Sequence, residues 1–389
     1  MTWELETLPF LEERHYEVAA RAKAWISDHH ALIEHSHHDH SPAICRKIVA
    51  ALGEARLLEF VVPAPGSDPE ERLDMRSICV MREAFGYVSG LVDSMFVMQG
   101  LGLTALWRHS DPELRDTYLD GARQGRSIAA LAVTEPNAGS DVAAMATSAT
   151  RDGDDFVLNG EKAWITNGGL ADHYIVLART GEDKGARGLS AFLVDADTPG
   201  LSCGEQEALI APHPMAAICF KDVRVPARRM IGEPGKGFRT VMAGFDIFRP
   251  TVGAAALGAA RRALDESIER VQNRQMFGRR MADMESVQAR IADMTTDVEL
   301  AALAVYRAAW AGDTIEGKHS HLSAIAKLVG TENAQRVADA AVQLFGALGV
   351  SQRSPVERIY RELRPMRIYE GASEIQKVVI ARAALAPRH

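Results

Sequence analysis

Apolar residues spaced three and four apart mark the first third of the chain. Tyr16–Ile26 (YEVAARAKAWI) and Ser77–Val88 (SICVMREAFGYV) each gather them on one helical face. Between these segments VVPAPGSDPE, residues 61–70, reads as a loop from its prolines and glycine. The period changes near Ser127. Five short β-rich runs follow (SIAALAVTEP, DDFVLNGEKAWITNG, HYIVLART, LSAFLVDAD and AAICFKDVRVP), separated by glycine, asparagine and aspartate. The helical period then returns. Val287, Ile291, Met294, Val298, Ala301 and Val305 form one seam on a long helix, as in an antiparallel bundle. Alanine-rich stretches such as AAALGAARRALD let such helices pack closely. The expected fold is α+β: a helical N-terminal domain over residues 1–128, a central β domain over 129–238 and a C-terminal helical bundle over 239–389. The end around Arg388 reads as disordered.

The totals narrow the functional classes. A chain of 389 residues exceeds one compact core, and 47% hydrophobic residues suffice to build more than one. A net charge of −8 argues against a nucleic-acid binder that works by neutralising phosphates. No apolar run is long enough for a membrane-spanning helix, so no membrane partner is expected. The opening MTWELETLPF lacks the basic start and apolar core of a signal peptide. Cys45, Cys79, Cys203 and Cys219 are scattered with no CxxC pair, which points to reduced thiols and a cytoplasmic location.

Two stretches imitate binding motifs. HHALIEHSHHDH carries His29, His30, His35, His37, His38 and His40, but no cysteine framework accompanies them; a solvated helix end or loop is expected, and no metal. Gly100–Ala105 (GLGLTA) fits a relaxed dinucleotide fingerprint yet lies inside a helical stretch, where its glycines serve close helix packing.

The chemistry concentrates in three places. Ala132–Asp141 (AVTEPNAGSD) leaves a β run and turns at Pro136–Asn137; it is either an ordinary hairpin turn or a loop whose hydroxyls and N–H groups hold ligand oxygens. Gly160–Asp172 (GEKAWITNGGLAD) sets Trp164 beside Thr166, which suits either a core tryptophan or an aromatic face against a flat ring. Near the end, Met366–Lys377 (MRIYEGASEIQK) presents a lone carboxylate, Glu370, ahead of a glycine.

Together with FKDVRVPARRMIGEPGKGF, FDIFRP, NRQMFGRRMADMESVQARIADM and QLFGALGV, these stretches resemble the acyl-CoA dehydrogenase family over residues 77 to 384, in the family's order and spacing. The resemblance implies a helical N-terminal domain, a central β domain and a C-terminal four-helix bundle. It implies FAD as cofactor and an acyl-CoA thioester as substrate, oxidised to a trans-2-enoyl thioester. An electron-transfer flavoprotein is the implied acceptor, and a homotetramer the implied assembly. Glu370 matches the family's catalytic base, which removes the α-proton, while its backbone N–H and an FAD hydroxyl receive the thioester carbonyl. Dryness around the base would raise its pKa, and Ile368 and Tyr369 are the expected apolar flank. One subgroup carries its base on another helix; the matching position here is Phe248, which cannot serve.

By the same matching, Leu131, Val133, Thr134, Gly139, Ser140, Trp164, Ile165 and Thr166 are implied flavin contacts. Arg274, Gln343 and Gly346 are implied contacts to the FAD of a neighbouring subunit, and Phe277 is an implied cofactor contact. Ser140, Asp246, Arg249, Tyr369 and Gly371 are implied substrate contacts. Met95, Met98, Gln99 and Leu103 are expected near the acyl chain, whose identity they do not settle. The chain departs from the family at Asn137, Met276, Glu285, Ala347 and Ala372. Asn137 would have to take over a left-handed glycine position, and Glu285 would repel a pyrophosphate. Three rival functions remain: the same oxidation on a carrier-bound acyl group, a flavin monooxygenase, and a non-enzymatic DNA-associated relative. Glu370 speaks against the second and the acidic charge against the third.

Overall fold

Among the described residues, six α-helices occupy the first part of the chain: α1 Glu13–Asp28, α2 His30–Ser36, α3 Pro42–Glu54, α4 Met75–Val88, α5 Gly90–His109 and α6 Pro112–Arg123. Strands follow: β1 Ala129–Ala132, β2 Ser148–Asp152, β3 Asp155–Thr166, β4 His173–Arg179, β5 Leu189–Asp195, β6 Leu201–Gln206, β7 Met215–Pro226 and β8 Met230–Ile231. The described residues that follow are mainly helical, with a small hairpin: α7 Gly237–Asn273, β9 Gln275–Met276, β10 Arg279–Arg280, α8 Glu285–Thr314, α9 Ser320–Phe345, α10 Pro355–Met366 and α11 Ser373–Ala384. The structure is a computed structural model describing residues 2–181, 183, 185–211, 213–317 and 319–386. The end around Arg388 lies outside the described residues. The α, β, α order matches the sequence reading, and so does the helical C-terminal bundle.

By internal contacts the residues form two units, one of Met1–Glu34, Asp74–Asp93 and Asp246–His389, the other of His35–Leu73 and Ser94–Phe245. The second unit holds an eight-stranded sheet in the order β6-β7-β3-β2-β4-β5-β8, with β1 parallel to β4. Strands β4 and β5 are buried along nearly their whole length, hence the continuous apolar runs that betrayed them. Strands β2 and β6 escaped the sequence reading because they are polar and mostly exposed, with no alternation to detect. Gly102 sits within α5, as expected, but its close neighbour is a strand, not a helix: a Cβ there would lie 2.8 Å from that of Ala129 in β1. Gln99 is likewise committed to the fold, donating to the Met95 carbonyl and accepting from the Ala129 N–H. Met95, Met98 and Leu103 are buried. His29 stacks on Trp25, and among the described residues no His/Cys/Asp/Glu group could hold a metal. Cys45 and Cys79 are buried, Cys203 and Cys219 exposed, and all four are free. No helix of the described residues is long and apolar enough to cross a membrane.

The first unit is built around the long C-terminal helices. The predicted seam on α8 is buried at Val287, Met294, Val298, Ala301 and Val305, with Ile291 half-buried. Glycines bring α7 against its neighbours: a Cβ on Gly253 would lie 2.7 Å from the Ala326 carbonyl of α9, and one on Gly258 only 2.0 Å from the Glu83 carbonyl of α4. Glu83 cannot retreat. It is fully buried, accepts from Tyr306 (2.7 Å) and Trp3 (3.2 Å), and pairs with Arg261 (3.0 Å). Gly258→Ala is therefore expected to cost about 1–3 kcal/mol as an overpacked core; an unchanged denaturant midpoint would show that α7 and α4 can separate freely.

Candidate active site

The loop between α10 and α11 carries two successive residues with positive φ, Glu370 at 52° and Gly371 at 93°. A left-handed glutamate costs about 1–3 kcal/mol and persists only where its surroundings impose it. Here Gln376 Nε2 donates to the Gly371 carbonyl at 2.7 Å and, more weakly, to that of Glu370 at 3.4 Å. Lys327 Nζ from α9 donates to the same Gly371 oxygen at 2.9 Å. Both donors are fully buried. A Cβ on Gly371 would meet Gln376 Nε2 at 2.5 Å, so the turn needs glycine there. The base of the loop is closed by the Arg367–Glu332 ion pair, and Ser373 also donates to Glu332. The N-cap of α11 is Ala372, which offers no side-chain cap, so Glu370 is not a capping residue.

The carboxylate of Glu370 is partly buried, and its Oε2 is enclosed with no hydrogen-bond partner among the described residues. Burial pushes its pKa above the usual glutamate range; Arg82, Lys327 and Arg249 oppose that rise and Asp93 adds to it. The expected apolar flank is only half right. Burial raises the Tyr369 phenol, but Ile368 is 58% exposed and shields nothing. The sequence reading brought Arg249 to the site but missed the other charged groups around the base. Arg82 of α4 and Asp93 of α5 form a bidentate pair (2.8 and 2.6 Å), both fully buried, and Arg82 donates its remaining arm to Thr251 at 2.9 Å. Lys327 is lowered to about 8 by burial, although Glu370 pulls it upward. Arg249 pairs with Asp246 at 2.9 Å, Asp246 accepts from Ser320 at 3.0 Å, and Arg249 Nε is enclosed with no partner among the described residues. Phe248 on the same helix is fully buried.

In the second unit the two expected flavin loops are joined. Glu135 and Ala138 exchange backbone hydrogen bonds of 3.1 Å around Pro136–Asn137, a two-residue turn. Asn137 does not take a positive φ, so replacing a glycine there needs no strained backbone. The Ala163 N–H donates to the Thr134 carbonyl at 2.9 Å. Beneath them lies a buried pair absent from the sequence reading: Lys162 Nζ reaches Glu135 at 2.8 Å and the Val133 carbonyl at 3.1 Å. Glu135 also accepts from the N–H groups of Ala146 and Thr147. Burial lowers Lys162 to about 8 against the pull of Glu135. A lysine inside one motif and a glutamate inside the other were the sequence signal.

Trp164 sits at a bulge of β3 against β7, with φ of 58°. The bulge turns its indole outward, 56% exposed, so it is not a core tryptophan. Val133 and Ile165 point into the core and can offer a ligand only their backbone; Gly139 and Ser140 are exposed, and Leu131 and Thr134 half-buried. Thr166 Oγ1 lies 2.9 Å from Nε2 of His213, whose pKa burial lowers to about 4. A flat, polar-edged ring fits this set of an exposed indole, three hydroxyls and loop backbone.

The remaining predicted residues lie in the first unit. Phe277 (φ 49°) and Gly278 (φ 74°) form the two-residue turn of the β9–β10 hairpin, and Phe277 is 84% exposed. Arg274 lines a surface depression of about 500 Å³ with Arg270 and Phe345. Gly346 (φ 63°) caps α9 by donating to the Gln343 carbonyl. Glu285 opens α8, exposed, where a negative charge favours the helix dipole; this accounts for its presence without a pyrophosphate contact. Met276 lies in β9 and Ala347 in the short turn after α9.

Comparisons with known proteins agree on one relationship. The acyl-CoA dehydrogenase C-terminal domain family matches residues 235–385, and the middle domain family residues 130–223. A Mycobacterium leprae protein named "Probable acyl-CoA dehydrogenase fadE25" is 40% identical over 314 residues, 80% of this chain and 81% of that protein. Cyclohexane-1-carbonyl-CoA dehydrogenase of Geobacter metallireducens is 36% identical over 342 residues, covering 87% and 89%. The structure of butyryl-CoA dehydrogenase from Megasphaera elsdenii superposes with a TM-score of 0.88 at 30% identity, covering 98% of this chain and all of that one.

Proposed function

The chain belongs to the acyl-CoA dehydrogenase family, and from that premise we propose that it oxidises an acyl-CoA thioester to its trans-2-enoyl form, with Glu370 as the base. The observation that carries this is the enclosed, unpartnered Oε2 of Glu370 on a turn that the protein holds in a strained conformation. Such an oxygen has a lone pair to offer and no competing donor. Its raised pKa suits removal of a weakly acidic α-proton. The nearby cations Arg82, Lys327 and Arg249 oppose that rise and so favour the ionised form that can act as a base. Outside both flanking helices, the Glu370 N–H is the donor proposed for the thioester carbonyl, where charge accumulates as the proton leaves. Asp246, Arg249, Tyr369 and Gly371 are proposed to contact the substrate.

FAD, when bound, supplies the acceptor for the hydride from Cβ. Its ring would be held by Leu131, Val133, Thr134, Gly139, Ser140, Trp164, Ile165 and Thr166. Arg274, Phe277, Gln343 and Gly346 would hold the FAD of a second copy; an aromatic side chain as exposed as Phe277 suits such a contact. A homotetramer and an electron-transferring flavoprotein as acceptor complete the proposal.

The purified protein is expected to be yellow with an equimolar complement of FAD, and to reduce an artificial electron acceptor with one class of acyl-CoA ester. A folded, colourless protein that ignores added FAD would remove the flavin assignment. Turnover of carrier-bound acyl groups with none of the free CoA esters would instead move the substrate to a carrier protein.

A further inference from the structure

We infer that Lys327 is a positioning residue: through the Gly371 carbonyl it holds the left-handed turn that presents Glu370. The inference rests on the proposal that Glu370 is the base. Lys327 is fully buried on α9, and its ammonium donates to a backbone carbonyl, not a carboxylate. An ammonium so placed loses most of its hydration for one neutral acceptor, which is costly. Packing alone would be better served by an apolar side chain of the same length. The oxygen it holds belongs to the residue after the base, and Gln376 supplies the second donor to it. Two buried donors on one carbonyl fix the peptide plane that follows Gly371, and Gln376 also reaches the Glu370 carbonyl at 3.4 Å, so together they hold the turn from which Glu370 is presented.

The charge of Lys327 acts alongside its hydrogen bond. Glu370, Glu332 and Glu374 face it and favour its ammonium form, whereas Arg249 disfavours it. Around Glu370 itself stand Arg82 of α4, Asp93 of α5, Arg249 of α7 and Lys327 of α9. Removing the ammonium withdraws one of three positive neighbours, so the base should bind its proton more tightly.

Lys327→Met tests this, because methionine has a similar length, tolerates burial in a helix and can neither donate nor carry charge. In the FAD-loaded enzyme kcat is expected to fall about 10–100-fold, the scale of one lost hydrogen bond to a charged group. KM for the best acyl-CoA should change less than kcat. The acid limb of the kcat–pH profile should move to higher pH. Lys327→Arg keeps the charge, so its acid limb should stay near the wild-type position and part of kcat should return. A merely structural lysine would lower the folded fraction and melting temperature without moving the acid limb. A folded Lys327→Met enzyme with wild-type kcat, or with lowered kcat and an unmoved acid limb, overturns the inference. Should that variant not fold, Lys327→Gln, which keeps a donor and drops the charge, is judged by the acid limb alone. A Glu370→Gln enzyme that still reduces flavin normally would remove the base assignment instead, a separate outcome.

Discussion

Glu370→Gln is expected to slow flavin reduction by the best acyl-CoA by about 10²–10⁴-fold, the range that general-base catalysis contributes. The amide keeps the size of the side chain and the backbone N–H but cannot take the α-proton. The turn should survive, because its clamps are Lys327 and Gln376 acting on backbone carbonyls, not on the Glu370 side chain. FAD content and thioester binding should therefore be nearly unchanged. Anaerobic rapid mixing follows bleaching of the flavin band directly, and bleaching at the wild-type rate would show that another group is the base.

The same variant makes a stability prediction whose sign follows from the raised pKa. Wild-type Glu370 favours the folded state most when protonated, so its contribution is present below the ordinary glutamate pKa and is lost as pH rises through the higher folded value. Glutamine has no such loss. Glu370→Gln should thus gain stability over wild type as pH rises from the ordinary glutamate range, levelling off above the folded pKa. Activity of the wild type runs the opposite way, falling as acid protonates the base. A wild-type enzyme whose kcat has no acid limb would contradict this assignment.

Asp93→Ala carries the largest expected effect on stability. It leaves the Arg82 guanidinium buried with Thr251 as its remaining hydrogen-bonded partner in place of a two-point carboxylate contact. Breaking a buried ion pair from one side costs about 3–5 kcal/mol, a large share of the roughly 5–15 kcal/mol that holds an ordinary protein folded. Replacing both members, Arg82→Met with Asp93→Leu, should recover much of the loss, since two apolar side chains leave no stranded charge. Denaturant midpoints of the two variants decide the matter. A single variant within about 1 kcal/mol of wild type would mean that water reaches Arg82 and that the pair behaves as a surface one.

Much of this protein was legible in short spans of its chain. The helical seam from Val287 to Val305 and the buried runs of β4 and β5 declare themselves because periodicity and apolar continuity are local properties. Motif resemblance singled out Glu370, the paired loops and the Arg274–Phe277 hairpin, though it carried no information on how their side chains are enclosed. Polar strands β2 and β6 stayed hidden, since a strand without a buried face leaves no pattern. Trp164 could not be told from a core tryptophan, because the bulge that turns it outward depends on its register with β7. The environment of the base was the least legible part. Arg82, Asp93, Arg249 and Lys327 stand on four different helices; the FDIFRP resemblance marked Arg249, but nothing in the local sequence of the other three marks them as neighbours of one carboxylate. Chain order and propensity decide which elements form. The pKa of Glu370 is set by burial and by neighbouring charges, and the strain of its turn is held by hydrogen bonds; these come together only when the chain packs, and only the tertiary structure decides them.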